Sequence, residues 1–218
     1  MHPYQPPPHE QLNILYKDDY LLIIDKPSGL LSVPGRGADK QDCMISRVQE
    51  TYPEALIVHR LDMATSGILV LARDKETHRL LSKQFQERKI SKQYIAVVNG
   101  RPRDDTGLID QPMICDWPNR PKQIIDVEHG KSAQTRYEVL EYAEKNNTSR
   151  LRLIPITGRT HQLRLHCQFL GHPILGDQLY ADDKTQAMAE RLLLHASNIL
   201  FPHPITNQSV EISSEAPF

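Results

Sequence analysis

An apolar run at residues 68–72 follows Gly67 and predicts a short strand that is buried on both faces. The polar segment at 59–66 precedes this run, so we expect a loop that delivers side chains to a strand end. Loops mounted on rigid strands are common positions for catalytic groups, which makes Asp62 the first candidate nucleophile or base. The alternative is a turn in which Asp62 pairs with Arg60 at the surface.

The composition is typical of a globular protein. The chain has 218 residues, of which 39% are hydrophobic and 24% charged, enough for one large domain or two small ones. A formal net charge of -1 argues against a broadly basic nucleic-acid coat but is compatible with a local basic cleft.

The cysteines and the N-terminus indicate a reducing compartment. The three cysteines, Cys43, Cys115 and Cys167, are widely spaced without a CxxC pair, so we expect neither a disulfide framework nor a zinc knuckle. The Pro-rich start lacks the apolar core of a signal peptide, and no stretch approaches about eighteen apolar residues. We therefore expect a cytoplasmic protein.

Hydrophobic periodicity and turn residues predict an α+β core without repeats or linkers. Residues 1–11 are expected to form an extended arm, with disorder as the alternative, and Asp42 is a possible helix cap. The segment 99–135 is either a long loop region or a set of short edge strands. The predicted strands are 14–16, 20–26, 93–98, 135–142, 149–156, 199–201 and 210–212, and the predicted helices are 42–52, 75–88 and 184–196.

A second polar cluster, at residues 157–166, follows a predicted strand and contains two arginines, two histidines and a glutamine. Such a donor-rich loop holds a phosphate or pairs with a buried carboxylate. The alternative is a solvated turn. Arg164 lies between Leu163 and Leu165, which indicates a guanidinium with a fixed partner.

Common catalytic motifs are absent. The sequence has no phosphate-binding GxxxxGK[ST], no GxGxxG after a strand, no HExxH and no GxSxG, which leaves cofactor-free chemistry or binding. His161 and His166 are five residues apart, a spacing that places them on different faces of a helix or strand. We therefore expect no metal site.

Basic residues recur near the turns that flank both polar clusters and suit a phosphodiester groove, although a solvated face is the usual meaning of such a run. Trp117 could stack on a base or belong to the core. These basic residues are Arg36, Arg79, Lys83, Arg88, Lys89, Lys92, Arg101, Arg103, Arg120, Lys122, Arg150 and Arg152.

Several ordered motifs together resemble the RluA-type pseudouridine synthases. The motifs are residues 26–29, 59–62 with 65–67, 92–94, 157–166, 171–177 and 194–196, within a match from about 14 to 204. The resemblance implies an isomerase with a mixed, largely antiparallel sheet and a cleft across it, in a single catalytic domain at 12–218 without an S4-type domain. The enzyme breaks the uridine C1'–N1 bond, rotates the uracil and rejoins it through C5, so no cofactor is implied.

The resemblance also implies roles for individual residues. Asp62 would be the nucleophile, attacking either the ribose or the base, and Arg164 would form an ion pair with it. Tyr94 would stack on the uracil and could take a ribose proton, although a core tyrosine is the alternative. Arg60 would fill the place of the flipped uridine in the RNA.

Further residues and substrates follow from the same resemblance. His59 and Arg36 would contact RNA, and Leu194 would pack against the pocket. The segment 115–122 favours action on both 23S ribosomal RNA hairpins and the tRNA anticodon stem-loop. We also expect a monomer, with no protein partner implied and no membrane association. The rivals are a non-catalytic RNA-binding module, which the intact Asp62 argues against, and a glycosidic hydrolase, which would normally need a second acid.

Overall fold

The computed structural model describes residues 4–218. Two compact units make up this part of the chain: the first runs up to Lys92 and includes Ala196–Pro217, and the second comprises Gln93–His195 with Phe218. No helix within the described range is long and apolar enough to cross a membrane. The single domain expected from the sequence stays a prediction.

The order of the elements follows the predicted alternation of strands and helices. The strands are β1 Ile14–Lys17, β2 Leu21–Lys26, β3 Leu56–Ile57, β4 Ser66–Ala72, β5 Ser91–Asn99, β6 Thr106–Asp110, β7 Met113–Cys115, β8 Gln123–Ile125, β9 Gln134–Ala143, β10 Thr148–Pro155, β11 Leu194–Pro202 and β12 Ser209–Ser213. The α-helices are α1 Met44–Gln49, α2 Lys75–Gln86, α3 Gln162–Phe169 and α4 Asp183–Gln186.

The extended arm is attached to the first unit. Residues 4–13 form no regular secondary structure, as expected for a Pro-rich segment, while residues 1–3 of the arm lie outside the described range. The hydroxyl of Tyr4 donates to the carbonyl of Asp42 at 2.9 Å and accepts from the amide of Leu31 at 3.1 Å. The Arg47 guanidinium donates to the carbonyls of Pro7 and Pro8 at 2.7 and 3.0 Å, which fixes the arm from Tyr4 onward.

The sheet of the first unit has β4 at its centre. Strand β2 pairs antiparallel with β1 and β4, and β4 is hydrogen-bonded on its other side to β11, which pairs antiparallel with β12. The short strand β3 also pairs with β4. All seven residues of β4 are buried, which confirms the strand predicted from the apolar run at 68–72.

Gly67 allows β4 to approach β11 closely. Its φ is +111°, and a Cβ atom there would lie 2.3 Å from the carbonyl oxygen of Ala196. Only glycine tolerates both the backbone conformation and this distance. The core of the unit forms around β4 and includes Ile23, Val70 and Leu81 of α2.

Helix α1 is capped differently from the prediction. Cys43, not Asp42, occupies the N-cap position, and its backbone amide donates to the hydroxyl of Ser46 at 3.0 Å. The Asp42 carboxylate instead accepts from Arg47 at 2.7 and 2.8 Å. The Asp42 carboxylate is bound by the Arg47 guanidinium and therefore does not cap the helix. Helix-capping rules consider only the residues at the helix start and do not include such a pair.

The second unit contains an antiparallel sheet of order β5-β10-β9-β6, with β5 included from Gln93 onward. The predicted strands at 93–98, 135–142 and 149–156 are confirmed. The segment 99–135 contains β6 and the hairpin β7-β8, which is the alternative of short strands.

The predicted helix at 184–196 is wrong. Helix α4 covers only Asp183–Gln186, and Leu194–Pro202 is strand β11. The amide of Leu193 donates to Leu175 at 3.0 Å, and its carbonyl accepts from Val97 at 3.1 Å. These contacts with distant segments override the helix propensity of the local leucines.

His59 belongs to the packing of the first unit. Its Nε2 accepts the backbone N–H of Val70 at 3.0 Å, and its ring stacks on Phe85 with centroids 4.7 Å apart. Burial, with a smaller contribution from the nearby Lys92 ammonium, lowers the pKa of His59 from 6.5 to about 3. The imidazole is therefore neutral in the folded protein. A proton on Nε2 would remove the lone pair that accepts the N–H of Val70.

This geometry predicts that acid destabilises the protein through His59. Unfolding returns the imidazole to its ordinary pKa, so between the two values the unfolded chain binds more protons and stability falls as the pH falls. From pH 6.5 to 4.5 the wild type should lose about 2 kcal/mol more unfolding free energy than His59→Gln, whose amide oxygen can accept the same N–H. Urea titrations at several pH values measure this difference, and parallel pH profiles of the two proteins would contradict it.

Candidate active site

Asp62 lies in the loop between β3 and β4, as expected. The amide of Thr65 donates to the Asp62 carbonyl at 3.1 Å and closes a turn immediately before the strand. The Asp62 side chain is half-buried. A carboxylate in this position is partly shielded from water and starts from a fixed backbone.

A buried lysine is hydrogen-bonded to the backbone of the Asp62 loop. Lys26, at the end of β2, is 0% exposed. Its ammonium donates to the carbonyls of Pro27 and Leu30, each at 2.7 Å, and of Met63 at 3.2 Å. Because Met63 directly follows Asp62, this ammonium fixes the backbone next to the candidate nucleophile.

Two serines complete the support. The hydroxyl of Ser28 donates to Ala64 at 2.7 Å, and the hydroxyl of Ser32 donates to the carbonyl of Leu61 at 2.8 Å and accepts from its amide at 3.1 Å. The amide of Gly29 donates to the Met63 carbonyl at 2.8 Å. The sequence predicts that the motif at 26–29 ends a strand, but it does not indicate that the motif contacts the Asp62 loop.

His59 and Arg60 are neighbours in sequence but differ in surroundings. Arg60 is exposed, and no ion pair of its guanidinium occurs among residues 4–218. The alternative of a surface ion pair between Arg60 and Asp62 is therefore wrong. Arg36 is likewise exposed in a loop, whereas His59 is engaged with β4. The predicted RNA contacts of these three residues stay predictions.

Tyr94 and Leu194 belong to strands of the second unit. Tyr94 lies on β5 opposite Leu153 of β10 and is half-buried. Leu194 begins β11 and is 3% exposed, so it can act only through packing. Their predicted roles at the uracil stay predictions.

Arg164 has a fixed partner, as its apolar neighbours suggested. The cluster at 157–166 is partly helical, and Arg164 lies on α3. Its Nε and Nη2 donate to the two carboxylate oxygens of Asp177 at 2.8 and 2.6 Å, and both side chains are buried. The amides of Leu179 and Tyr180 donate to the same carboxylate at 2.9 and 3.1 Å. Asp177 was not predicted as the partner, and the pairing of Arg164 with Asp62 stays a prediction.

Tyr180 connects Arg164 with other elements of the second unit. Its ring centroid lies 5.3 Å from the Arg164 guanidinium carbon. Its hydroxyl accepts the amide N–H of Gln123 on β8 at 2.8 Å and hydrogen-bonds to His161 Nδ1 at 2.9 Å. Hairpin β7-β8 and the start of α3 are therefore attached to the residue that packs on Arg164.

Thr157, Gln162 and His166 of the cluster belong to a buried polar network. The amide oxygen of Gln162 accepts from the Thr157 hydroxyl at 2.8 Å, and its nitrogen donates to the Thr135 hydroxyl at 3.0 Å. His166 hydrogen-bonds to Thr135 at 2.9 Å and to the Gln111 carbonyl at 3.1 Å, and burial lowers its pKa. Of the residues described, no three His, Cys, Asp or Glu side chains are grouped to hold a metal ion. The network positions the first turn of α3.

Known proteins resemble the chain over most of its length. The sequence model of the family described as RNA pseudouridylate synthase matches residues 20–169, more than half of the chain. The dual-specificity RNA pseudouridine synthase RluA of Escherichia coli (strain K12) is 54% identical over 218 residues, covering 100% of this chain and 99% of that protein. RluA of Vibrio vulnificus is 50% identical over 204 residues, covering 92% of this chain and 82% of that protein.

Solved structures agree with the sequence comparisons. Human RNA pseudouridylate synthase domain containing 1 superimposes with a TM-score of 0.83 at 29% identity, covering 98% of this chain and 87% of that one. Human RNA pseudouridylate synthase domain containing 4 gives a TM-score of 0.76 at 26% identity, covering 94% and 88%. The predicted α+β pseudouridine synthase fold is confirmed. The chain therefore belongs to the RNA pseudouridylate synthase family, is of the RluA type, and is an isomerase that acts on RNA.

Proposed function

We propose that the enzyme converts uridine to pseudouridine in hairpin loops of 23S ribosomal RNA and in the tRNA anticodon stem-loop. The observation that carries this proposal is the 54% identity over 218 residues with an enzyme named for dual specificity. An enzyme that modifies a uridine in more than one RNA must recognise the shape of the RNA loop, because the different RNAs do not share a long nucleotide sequence.

The reaction is an isomerisation. The C1'–N1 bond breaks and a C1'–C5 bond forms, while C5 loses a proton and N1 gains one. We assign the attacking group to the Asp62 carboxylate, on either the ribose C1' or the uracil ring. The hydrogen bonds from Lys26, Ser28 and Ser32 support this role because they hold the loop before the substrate arrives.

The other assignments concern the flipped nucleotide. Tyr94 would stack on the uracil, and Arg164 would supply a positively charged group held in place by Asp177. Arg60 would enter the RNA stack where the uridine has left it, a role that suits its exposed guanidinium. Arg36 would bind a phosphate.

We further propose that the enzyme acts as a monomer in the cytoplasm, where both substrate RNAs are found. The three free cysteines, two of them buried, suit a reducing compartment.

Replacement of the candidate nucleophile tests the mechanism. Asp62→Asn should lower tritium release from RNA labelled at uracil C5 by at least about a thousandfold, because the amide cannot attack. RNA binding should remain within about tenfold of wild type, since the substitution keeps the shape of the side chain. Asp19→Asn, at an exposed turn, is the matched control and should release tritium at the wild-type rate.

Tritium release, RNA binding and a test for free uracil together separate the rival functions. Full activity of Asp62→Asn would refute the assigned nucleophile. A wild-type protein that binds stem-loop RNA without releasing tritium would be a binding module, and one that liberates free uracil would be a glycosidic hydrolase.

The proposed targets predict a specific pattern in cells. Pseudouridine mapping of total RNA, with and without the gene, should show loss of at least one site in a 23S hairpin loop and one in a tRNA anticodon arm. Loss in only one class of RNA would contradict dual specificity.

The partner of Arg164 gives a further prediction. Asp177→Asn removes the carboxylate that accepts from both Nε and Nη2 of the buried Arg164 guanidinium, and it should lower the unfolding free energy by about 3–5 kcal/mol, together with turnover. Glu138→Gln, which breaks the surface pair with Arg152, should cost less than about 1 kcal/mol. Urea unfolding and tritium release measure both effects, and an Asp177→Asn protein with wild-type stability and rate would show that this ion pair is dispensable.

A further inference from the structure

The tip of hairpin β7-β8 exposes a large aromatic side chain. Trp117 is the single tryptophan of the chain, and 66% of it is exposed, so the alternative of a core tryptophan is wrong. Tryptophan has a large apolar surface and is seldom left open to water without a function. The tip therefore calls for a ligand with an apolar or aromatic face.

A guanidinium lies over this ring. The guanidinium carbon of Arg120 lies 4.7 Å from the Trp117 ring centroid, and Arg120 Nε donates to the Trp117 carbonyl at 3.3 Å. Lys122 follows on the same tip. The one acidic side chain of the turn, the Asp116 carboxylate, accepts from the side-chain nitrogen Nδ2 of Asn119 at 2.9 Å. The tip thus combines an aromatic surface with two cations.

Backbone hydrogen bonds fix the shape of the tip. The amide of Asp116 donates to Lys122 at 3.0 Å, that of Asn119 to Asp116 at 3.0 Å, and that of Lys122 to Asn119 at 3.1 Å. The amide of Gln123 is held by the Tyr180 hydroxyl at 2.8 Å. The tip is therefore attached to the tyrosine that packs on Arg164, and a ligand loses little binding free energy in ordering it.

We propose that Trp117 is a stacking platform for an unpaired base of the substrate RNA, and that Arg120 and Lys122 bind the phosphates beside that base. The inference rests on the proposed function and extends it to a second RNA contact. An unpaired nucleotide offers a π face and negative charge together, which are the two features that this tip matches. A protein partner would need a broader apolar surface than one ring on a turn that carries two cations.

The single tryptophan makes stacking directly visible in fluorescence. Asp62→Asn protein titrated with a stem-loop RNA should show quenching of the tryptophan emission that saturates with the Kd found by filter binding. A fully paired RNA duplex of the same length should not quench the emission. Saturable binding of the stem-loop without a change in emission would overturn the proposal.

Substitutions in otherwise active enzyme complete the test. Trp117→Ala should raise KM for stem-loop RNA about 5- to 100-fold with kcat within about twofold, and Trp117→Phe should recover most of the loss. Val127→Ala, at another exposed apolar residue of the unit, is the control and should not change KM. Arg120→Gln should reduce the salt dependence of binding by about one unit of slope.

The outcomes separate the two proposals. Isomerisation with unchanged KM in Trp117→Ala would refute the platform and leave the proposed function standing. Absence of pseudouridine with the wild type would refute the proposed function, while quenching by the stem-loop would still report a stacking surface. If Trp117→Ala instead lost activity only because much less of the protein were folded, as a lowered melting temperature would show, Trp117 would be structural.

Discussion

The Asp62 loop depends on a buried ammonium. Lys26 is removed from water and donates to three backbone carbonyls, one of which directly follows Asp62. Taking an ammonium out of water costs several kcal/mol unless its donors are satisfied, so the carbonyls must stay where they are. These hydrogen bonds hold the polar loop as a rigid support for a carboxylate, and Gly67 lets the strand that follows the loop approach β11 closely.

A comparable device operates within the second unit. Arg164 is held by both oxygens of Asp177, whose carboxylate is itself fixed by two backbone amides and lies beside Tyr180. In both units a buried charge restrains a residue assigned to the chemistry, and the restraint comes from a segment distant in sequence. Rigid positioning of this kind lowers the reorganisation that the reaction would otherwise require.

The sequence predicted what local pattern determines. Runs and alternations of apolar residues identified β2, β4, β5, β9, β10 and helix α2, because periodicity follows directly from burial. Contacts between distant segments were not predictable: the leucines before β11 favour a helix until the backbone pairs with Leu175 and Val97. Asp177 was not predicted as the partner of Arg164 for the same reason, because no pattern in the sequence around Arg164 identifies the carboxylate that it binds.

Motif residues that are adjacent in sequence need not share a task. In the segment at 59–62, the His59 imidazole accepts a hydrogen bond from β4 and stays neutral, whereas Arg60 is exposed and Asp62 sits half-buried in a turn. The His59 imidazole accepts a hydrogen bond from the strand that carries the loop, and its predicted contact with RNA stays a prediction. The motif thus divides its tasks: His59 anchors the backbone of β4, and the roles proposed toward the RNA and the uracil belong to its neighbours Arg60 and Asp62.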